Sequence, residues 1–134
     1  MAGDIEKALA YHLKNYSPLA SLVNSRIFPV RYPQNGGVPY VTYQRVSTRY
    51  LTPHGEYSML PWVRIQVDSF AEDYETVKKI AAQVKNALDG FRGEMGSGTD
   101  TVLVFSCVPG GASDDFSDDP ALCILHQDFQ IMFE

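Results

Sequence analysis

The chain has 134 residues, of which 45% are hydrophobic and 20% are charged, and its formal net charge is −5. This length predicts a single domain, residues 1–134, and the composition excludes wholesale disorder. No run of 18 apolar residues and no secretory signal is found, so we expect an intracellular protein without a membrane partner. The excess of acidic residues argues against a general nucleic-acid binder, because such proteins neutralise phosphates.

The beginning of the chain predicts two helices that meet near Tyr16. Asp4 is a suitable N-cap, and an apolar stripe at helical spacing follows it. The members of this stripe are Ile5, Ala8, Leu9, His12 and Leu13. Ser17-Pro18 predicts the start of a second helix, which ends near Asn24, because serine caps helices and proline is tolerated at the first helical position.

Two strands are predicted next, at 40–46 and 62–68, joined by a polar loop at 48–59. The first strand is rich in β-branched and aromatic residues. In the second, Val63, Ile65 and Val67 alternate with polar residues, which is typical of a strand with one buried face.

The second half of the chain predicts a long helix at 73–89, a glycine-rich mobile segment at 89–100, and two strands. Asp73 is the expected N-cap of the helix and Gly90 its stop. The strands are predicted at 101–108 and 122–133, and an acidic loop at 109–120 joins them. The fold class expected from this order is α+β, with a two-layer, mainly antiparallel sheet of about four strands. One long helix and the N-terminal helices would pack on that sheet.

The histidines and cysteines do not form a recognisable reactive site. His12, His54 and His126 are not spaced as metal ligands, and each is more simply explained as a packed or solvated histidine. Cys107 and Cys123 lie on predicted strands, so they could approach each other, although buried free thiols are the simpler expectation. His126 lies three residues from Cys123 and is therefore expected on the opposite face of its strand, which argues against a catalytic dyad. We expect no enzymatic activity, no cofactor and no metal.

Two groups of charged or polar residues are candidate interaction sites. The first is the acidic loop with Asp114, Asp115, Asp118 and Asp119, which we interpret as a hydrated loop rather than a cation site. The second comprises Arg45, Arg49, Arg64 and Gln66, on or beside the predicted strands, which could bind a partner.

The order of landmarks along the chain resembles one protein family. The landmarks are Ile5-Glu6-Lys7-Ala8-Leu9, Ser17-Pro18-Leu19, Arg26-Ile27-Phe28-Pro29, Pro33-Gln34, Pro39-Tyr40-Val41 and Val63-Arg64-Ile65-Gln66-Val67. They are similar, over residues 4–133, to the tail-completion family of long-tailed bacteriophages and prophages, relatives of tail-terminator and tail-to-head joining proteins.

This resemblance implies a structural virion protein at the head–tail junction, made in the cytoplasm of a bacterial host. It implies a hexameric ring of copies that caps the tail tube, ends tube polymerisation and contacts the head connector. DNA would pass through the ring without being specifically bound, and the four aspartates are candidates for the channel surface. The alternatives are a neighbouring head–tail connector ring and a non-enzymatic peptide- or protein-binding module.

Overall fold

A computed structural model describes residues 4–30, 37–50, 61–118 and 121–134. These residues form three α-helices and six β-strands, which confirms the α+β class. The helices are α1 (Ile5–Lys14), α2 (Ser17–Val23) and α3 (Tyr74–Leu88). The strands are β1 (Ile27–Pro29), β2 (Tyr40–Tyr50), β3 (Pro61–Ala71), β4 (Gly93–Met95), β5 (Val102–Asp118) and β6 (Ala121–Phe133).

The strands form one mixed sheet in the order β1-β2-β3-β6-β5-β4. β1 pairs with β2 in parallel, and every other pair is antiparallel. The expected antiparallel pairing of β2 with β3 and of β5 with β6 is confirmed. The expected number of about four strands is wrong, because the described residues contain six. β1 and β4 have only three residues each, too few to show an alternating pattern in the sequence.

Side-chain caps begin two of the helices where the sequence predicts them. Asp4 Oδ1 accepts a hydrogen bond from the backbone amide of Lys7 at 3.1 Å. Asp73 accepts hydrogen bonds from the hydroxyl of Thr76 at 2.8 Å and from its amide at 3.0 Å, and these bonds lower the pKa of Asp73. Gly90 follows α3 with φ +76°, a conformation that favours glycine and ends the helix.

The core lies between one face of the sheet and the helices. α3 packs across β3, β6 and β5, while α1 contacts β1, β2 and β4. Fully buried apolar residues fill this layer, among them Leu9, Leu13, Leu19, Ile65, Ile80, Leu88, Phe129 and Ile131. The opposite side of the sheet, which we call the open face, carries Trp62, Arg64, Gln66, Asp68 and their cross-strand neighbours. No described helix contributes to that side.

The glycine-rich segment is more ordered than the sequence predicts. It contains β4 and a 3-10 turn at Gly98–Asp100, and Met95 is buried in the core with an exposure of 1%. Gly96 has φ +102° and lies so close to α1 that a Cβ atom there would sit 2.9 Å from the Cβ of Ala8. The prediction of a mobile loop over 89–100 is therefore wrong, since the segment packs against α1 at a position only glycine fits.

β5 is much longer than predicted. Residues 109–118, predicted as a loop, continue the strand and pair with β6 as far as Asp118 opposite Ala121. The prolines and glycines that suggested a loop are accommodated by a register shift between Pro109 and Gly111, which is a bulge in a continuing strand. β2 likewise continues to Tyr50, and the rest of the predicted 48–59 loop lies outside the described residues.

Candidate assembly surfaces

A histidine between two carboxylates joins three strands on the open face. His126 of β6 places its Nδ1 atom 2.7 Å from Asp68 Oδ1 on β3. Its Nε2 atom lies 3.4 Å from Asp115 Oδ2 on β5. Gln66 Nε2, on the same strand as Asp68, donates to Asp68 Oδ1 at 3.0 Å. We call this group of four residues the His126 network.

The network favours the charged form of the histidine. Partial burial lowers the pKa of His126, but the hydrogen bonds and charges of Asp68 and Asp115 raise it by more, so its net pKa lies above the ordinary value. The pKa of Asp115 is lowered, first by the backbone amide of Phe116 and then by His126. When His126 is protonated, two carboxylates share one imidazolium, and the network then carries a net negative charge.

Two shallow concavities flank this network on the open face. One, of about 310 Å³, is lined by Gln66, Gly111, Ala112, Ser113, His126 and Asp128. The other, of about 370 Å³, is lined by Ser47, Arg49, Trp62, Val63, Arg64 and Gln130. An ion pair of 2.7 Å between Arg64 and Asp128 separates them. The open face is thus polar, indented and charged, which suits a wet protein interface better than a closed substrate pocket.

Three of the four predicted partner-binding residues lie together on the open face, and one does not. Arg64 and Gln66 are two residues apart on β3 and therefore point to the same face. Arg49 lies opposite Trp62, which is also on that face. Arg45 is opposite Ile65 and points to the helix-covered side, where its Nε atom forms an ion pair of 2.9 Å with Glu6. The cause is a register shift between Arg45 and Ser47, which moves Arg49 to the other face.

Three of the four acidic residues lie in a strand and not in a loop, which corrects the sequence prediction for them. Asp114 and Asp115 point to opposite faces of β5, as neighbours in a strand must. Asp114 Oδ2 accepts a hydrogen bond of 2.8 Å from the hydroxyl of Tyr74 at the start of α3. Asp118 ends the strand, and Asp119 lies outside the described residues.

The cysteines are free and far apart. Cys107 lies opposite Ile131 of β6, whereas Cys123 lies eight residues before Ile131 on that strand and opposite Phe116. This separation is too great for a disulfide. Burial raises the pKa of Cys107 to about 12, with a further contribution from the charge of Asp89, so its thiol is protonated at neutral pH.

The sequence pattern predicts His126 to be a packed or solvated residue. It does not predict the contacts of His126 with two carboxylates. Its position on the face opposite Cys123 was predicted correctly. The signal for its role was present in the alternation of the strands, since Asp68 belongs to the polar face of β3. Only the pairing of β3 with β6, which sets Asp68 opposite His126, brings the two side chains together. His12 is a packed histidine, as predicted, with its Nε2 atom 2.8 Å from the carbonyl oxygen of Ala87.

The described residues contain neither a metal-binding cluster nor a helix suited to a membrane. No group of three or more His, Cys, Asp or Glu side chains is arranged to hold a metal ion in residues 4–30, 37–50, 61–118 and 121–134. Within the same residues, no helix has the length and apolar character needed to cross a membrane.

The fold of this chain is similar to that of a chain in a solved virion particle. A chain in the solved virion of a native gene transfer agent particle matches with a TM-score of 0.80 and 16% identity, over 98% of this chain and 95% of that chain. No curated protein matches the sequence. The family model described as "Tail completion protein gp17" matches residues 7–134, so the chain belongs to this family of structural phage tail proteins.

Proposed function

We propose that this protein completes a phage-type tail by forming a ring on the end of the tail tube. The ring, with six copies as the expected number, stops the addition of tube subunits and presents a surface to the head connector. The observation that carries this proposal is the match of the tail completion family over residues 7–134, which spans every described helix and strand except the first two residues of α1.

The surface properties support an assembly role. The open face has no described covering layer and carries polar side chains with two concavities, as expected of a surface that binds other protein subunits. A ring of six copies requires two different, complementary surfaces on each copy, and it closes when the rotation between neighbouring copies adds up to a full turn. Arg49, Arg64 and Gln66 remain our candidates for a contact with the tube, the connector or another copy.

Electron microscopy of particles made without this protein tests the proposal. We expect tail tubes longer than in wild-type particles, together with DNA-filled heads that lack tails, and a plasmid-borne wild-type gene should restore both. Tails of normal length beside unattached heads would contradict the terminator role and favour a connector ring. Normal, infectious particles would contradict both and favour a peptide- or protein-binding module.

We also propose that the acidic end of β5 borders the path of the DNA, with Asp114 and Asp118 on one side of the strand and Asp115 on the other. Negative charge beside the channel repels phosphates, so the DNA slides without being held. Replacing Asp114, Asp115, Asp118 and Asp119 with asparagine should slow DNA ejection, which can be followed by dye uptake of released DNA. Unchanged ejection kinetics in particles that contain the variant would contradict this role. The matched control is Glu75→Gln, on the outer side of α3.

A further inference from the structure

Charge is distributed unevenly along this chain. All 11 Lys and Arg residues lie in residues 1–92, whereas residues 93–134 contain eight acidic residues and no Lys or Arg. In the sheet, this asymmetry makes one strand edge acidic and gives another strand edge its arginines. We call the outer edge of β5 over residues 108–118 the acidic edge, because it carries Asp114, Asp115 and Asp118. We call the outer edge of β2 over residues 44–50 the arginine edge, because it carries Arg45 and Arg49.

Neither edge has a strand partner in the described part of the chain. β4 pairs with β5 only over Val102–Val104, and beyond it the amide of Gly90 donates to the carbonyl of Cys107. β1 pairs with β2 only as far as Tyr43. Backbone groups along an unpaired edge are a ready template for another strand.

Both edges also expose apolar side chains. Phe116 is 57% exposed and Val108 is 41% exposed on the acidic edge, while Val46 is 45% exposed on the arginine edge. Exposed apolar residues on a long edge strand are a liability for a monomer and are expected where an edge becomes covered.

We propose that the acidic edge of one copy pairs with the arginine edge of the next copy, so that the sheets of neighbouring subunits join. This inference rests on the proposed ring and names its contact. Strand directions alternate across β2, β3, β6 and β5. When the same sheet is repeated side by side, β5 therefore meets the next β2 in antiparallel orientation. The two edges differ, so the contact is head-to-tail and is able to close into a ring.

The charges define a register for this contact. Across a single sheet Asp115 is level with Tyr40, through Ile124 and Phe70. Because β1 already pairs with the outer edge of β2 at Val41–Tyr43, the copies must be staggered far enough for β5 to clear β1. A stagger of eight levels, in which the bulged Val46 is not counted, makes Asp115 level with Arg49 and Asp118 level with Arg45. Because this number is even, each pair shares one side of the sheet: the first lies on the open face and the second on the helix-covered side. Staggers of this kind accompany strand tilt in closed sheets.

Backbone hydrogen exchange tests the contact directly. The exchange of residues 44–50 and 108–118 is measured by mass spectrometry in the free protein and in the protein bound to purified tails. We expect both segments to exchange more slowly on tails, because edge amides gain strand partners. Unchanged exchange of both segments, or protection confined to the helices, would overturn the proposal.

Charge reversal provides a second test. Asp118→Lys and Arg45→Glu should each weaken the association of copies by up to about fivefold per contact, and the double variant should recover most of the loss. Glu75→Lys and Lys85→Glu make the same charge changes on α3 and should leave association unchanged. Denaturant unfolding of each free variant identifies any that fail to fold. Folded single variants that associate like the wild type would overturn the register.

The two proposals fail in different ways. If tails lengthen without the protein but neither edge is protected, the terminator function stands and the edge contact is wrong. If particles without the protein are normal while the free protein assembles through protected edges, the contact stands and the terminator function is wrong.

Discussion

Replacing His126 with glutamine tests the network that joins β3, β6 and β5. The side chains of His126 and Asp68 are only 30% and 14% exposed, and their contact of 2.7 Å is a hydrogen bond between charged groups. Such bonds contribute about 1.5–3 kcal/mol when buried, so we expect a loss of about 1–2 kcal/mol at pH 6 for this partly exposed pair. The contact with Asp115 adds little, since that carboxylate is 60% exposed and 3.4 Å away.

The effect depends on pH in a defined direction. Because the folded state raises the pKa of His126 above its ordinary 6.5, its contribution is complete below that value. The contribution is lost as the pH rises through the folded pKa. The wild type should therefore lose stability on the alkaline side of pH 6.5, and His126→Gln should lack this dependence, so that the two proteins converge at high pH.

Urea unfolding followed by the fluorescence of Trp62, the one tryptophan in the sequence, measures both effects between pH 5.5 and 8.5. His12→Gln is the matched control, because His12 contacts a backbone carbonyl and no carboxylate. A His126→Gln variant that kept the pH dependence of the wild type, or equalled it in stability at pH 6, would refute this account of the network.

Two other features give measurable predictions. Gly96→Ala should destabilise the fold by about 2–4 kcal/mol, because the residue has a positive φ and its new methyl group would clash with Ala8. Gly93→Ala is the matched control, since its φ is +118° but the space around its Cβ position is open. It should lose only about 1–2 kcal/mol of stability. Equal losses in urea unfolding would show that the contact with Ala8 is unimportant. In the native protein at pH 7.5, Cys123 should react with a thiol reagent before Cys107 does, because burial keeps the Cys107 thiol protonated. Peptide mapping identifies the labelled residue. Early labelling of Cys107 would contradict its burial.

The long helices and central strands were predictable because each carries its own local signal. Asp4 and Asp73 are caps whose side chains bond the first turn, and the alternation around Val63 reports one buried face of β3. β1 and β4 were not predicted because three residues are too few to show a periodic pattern. Both strands form only by pairing with strands that are distant in the sequence. The extension of β5 past Pro109 was not predicted for a related reason. Its residues favour turns by themselves, and pairing with β6 holds them in a strand.

The candidate surfaces were less predictable than the fold. The sequence selected Arg64 and Gln66 from a strand pattern, and the structure places both on the open face. It could not separate Arg45 from Arg49, because the bulge that turns them to opposite faces leaves no mark in the local composition. His126 required the pairing of two strands 58 residues apart, which is information about topology and not about any one segment.

The position of β6 has a consequence for how the chain folds during synthesis. β6 comes last among the described strands, yet it lies between β3 and β5 in the middle of the sheet. Until residues 121–133 leave the ribosome, β3 lacks its neighbour on that side and β5 has nothing to join it to the rest of the sheet. The ordered sheet therefore forms late, through contacts between residues that are distant in the sequence.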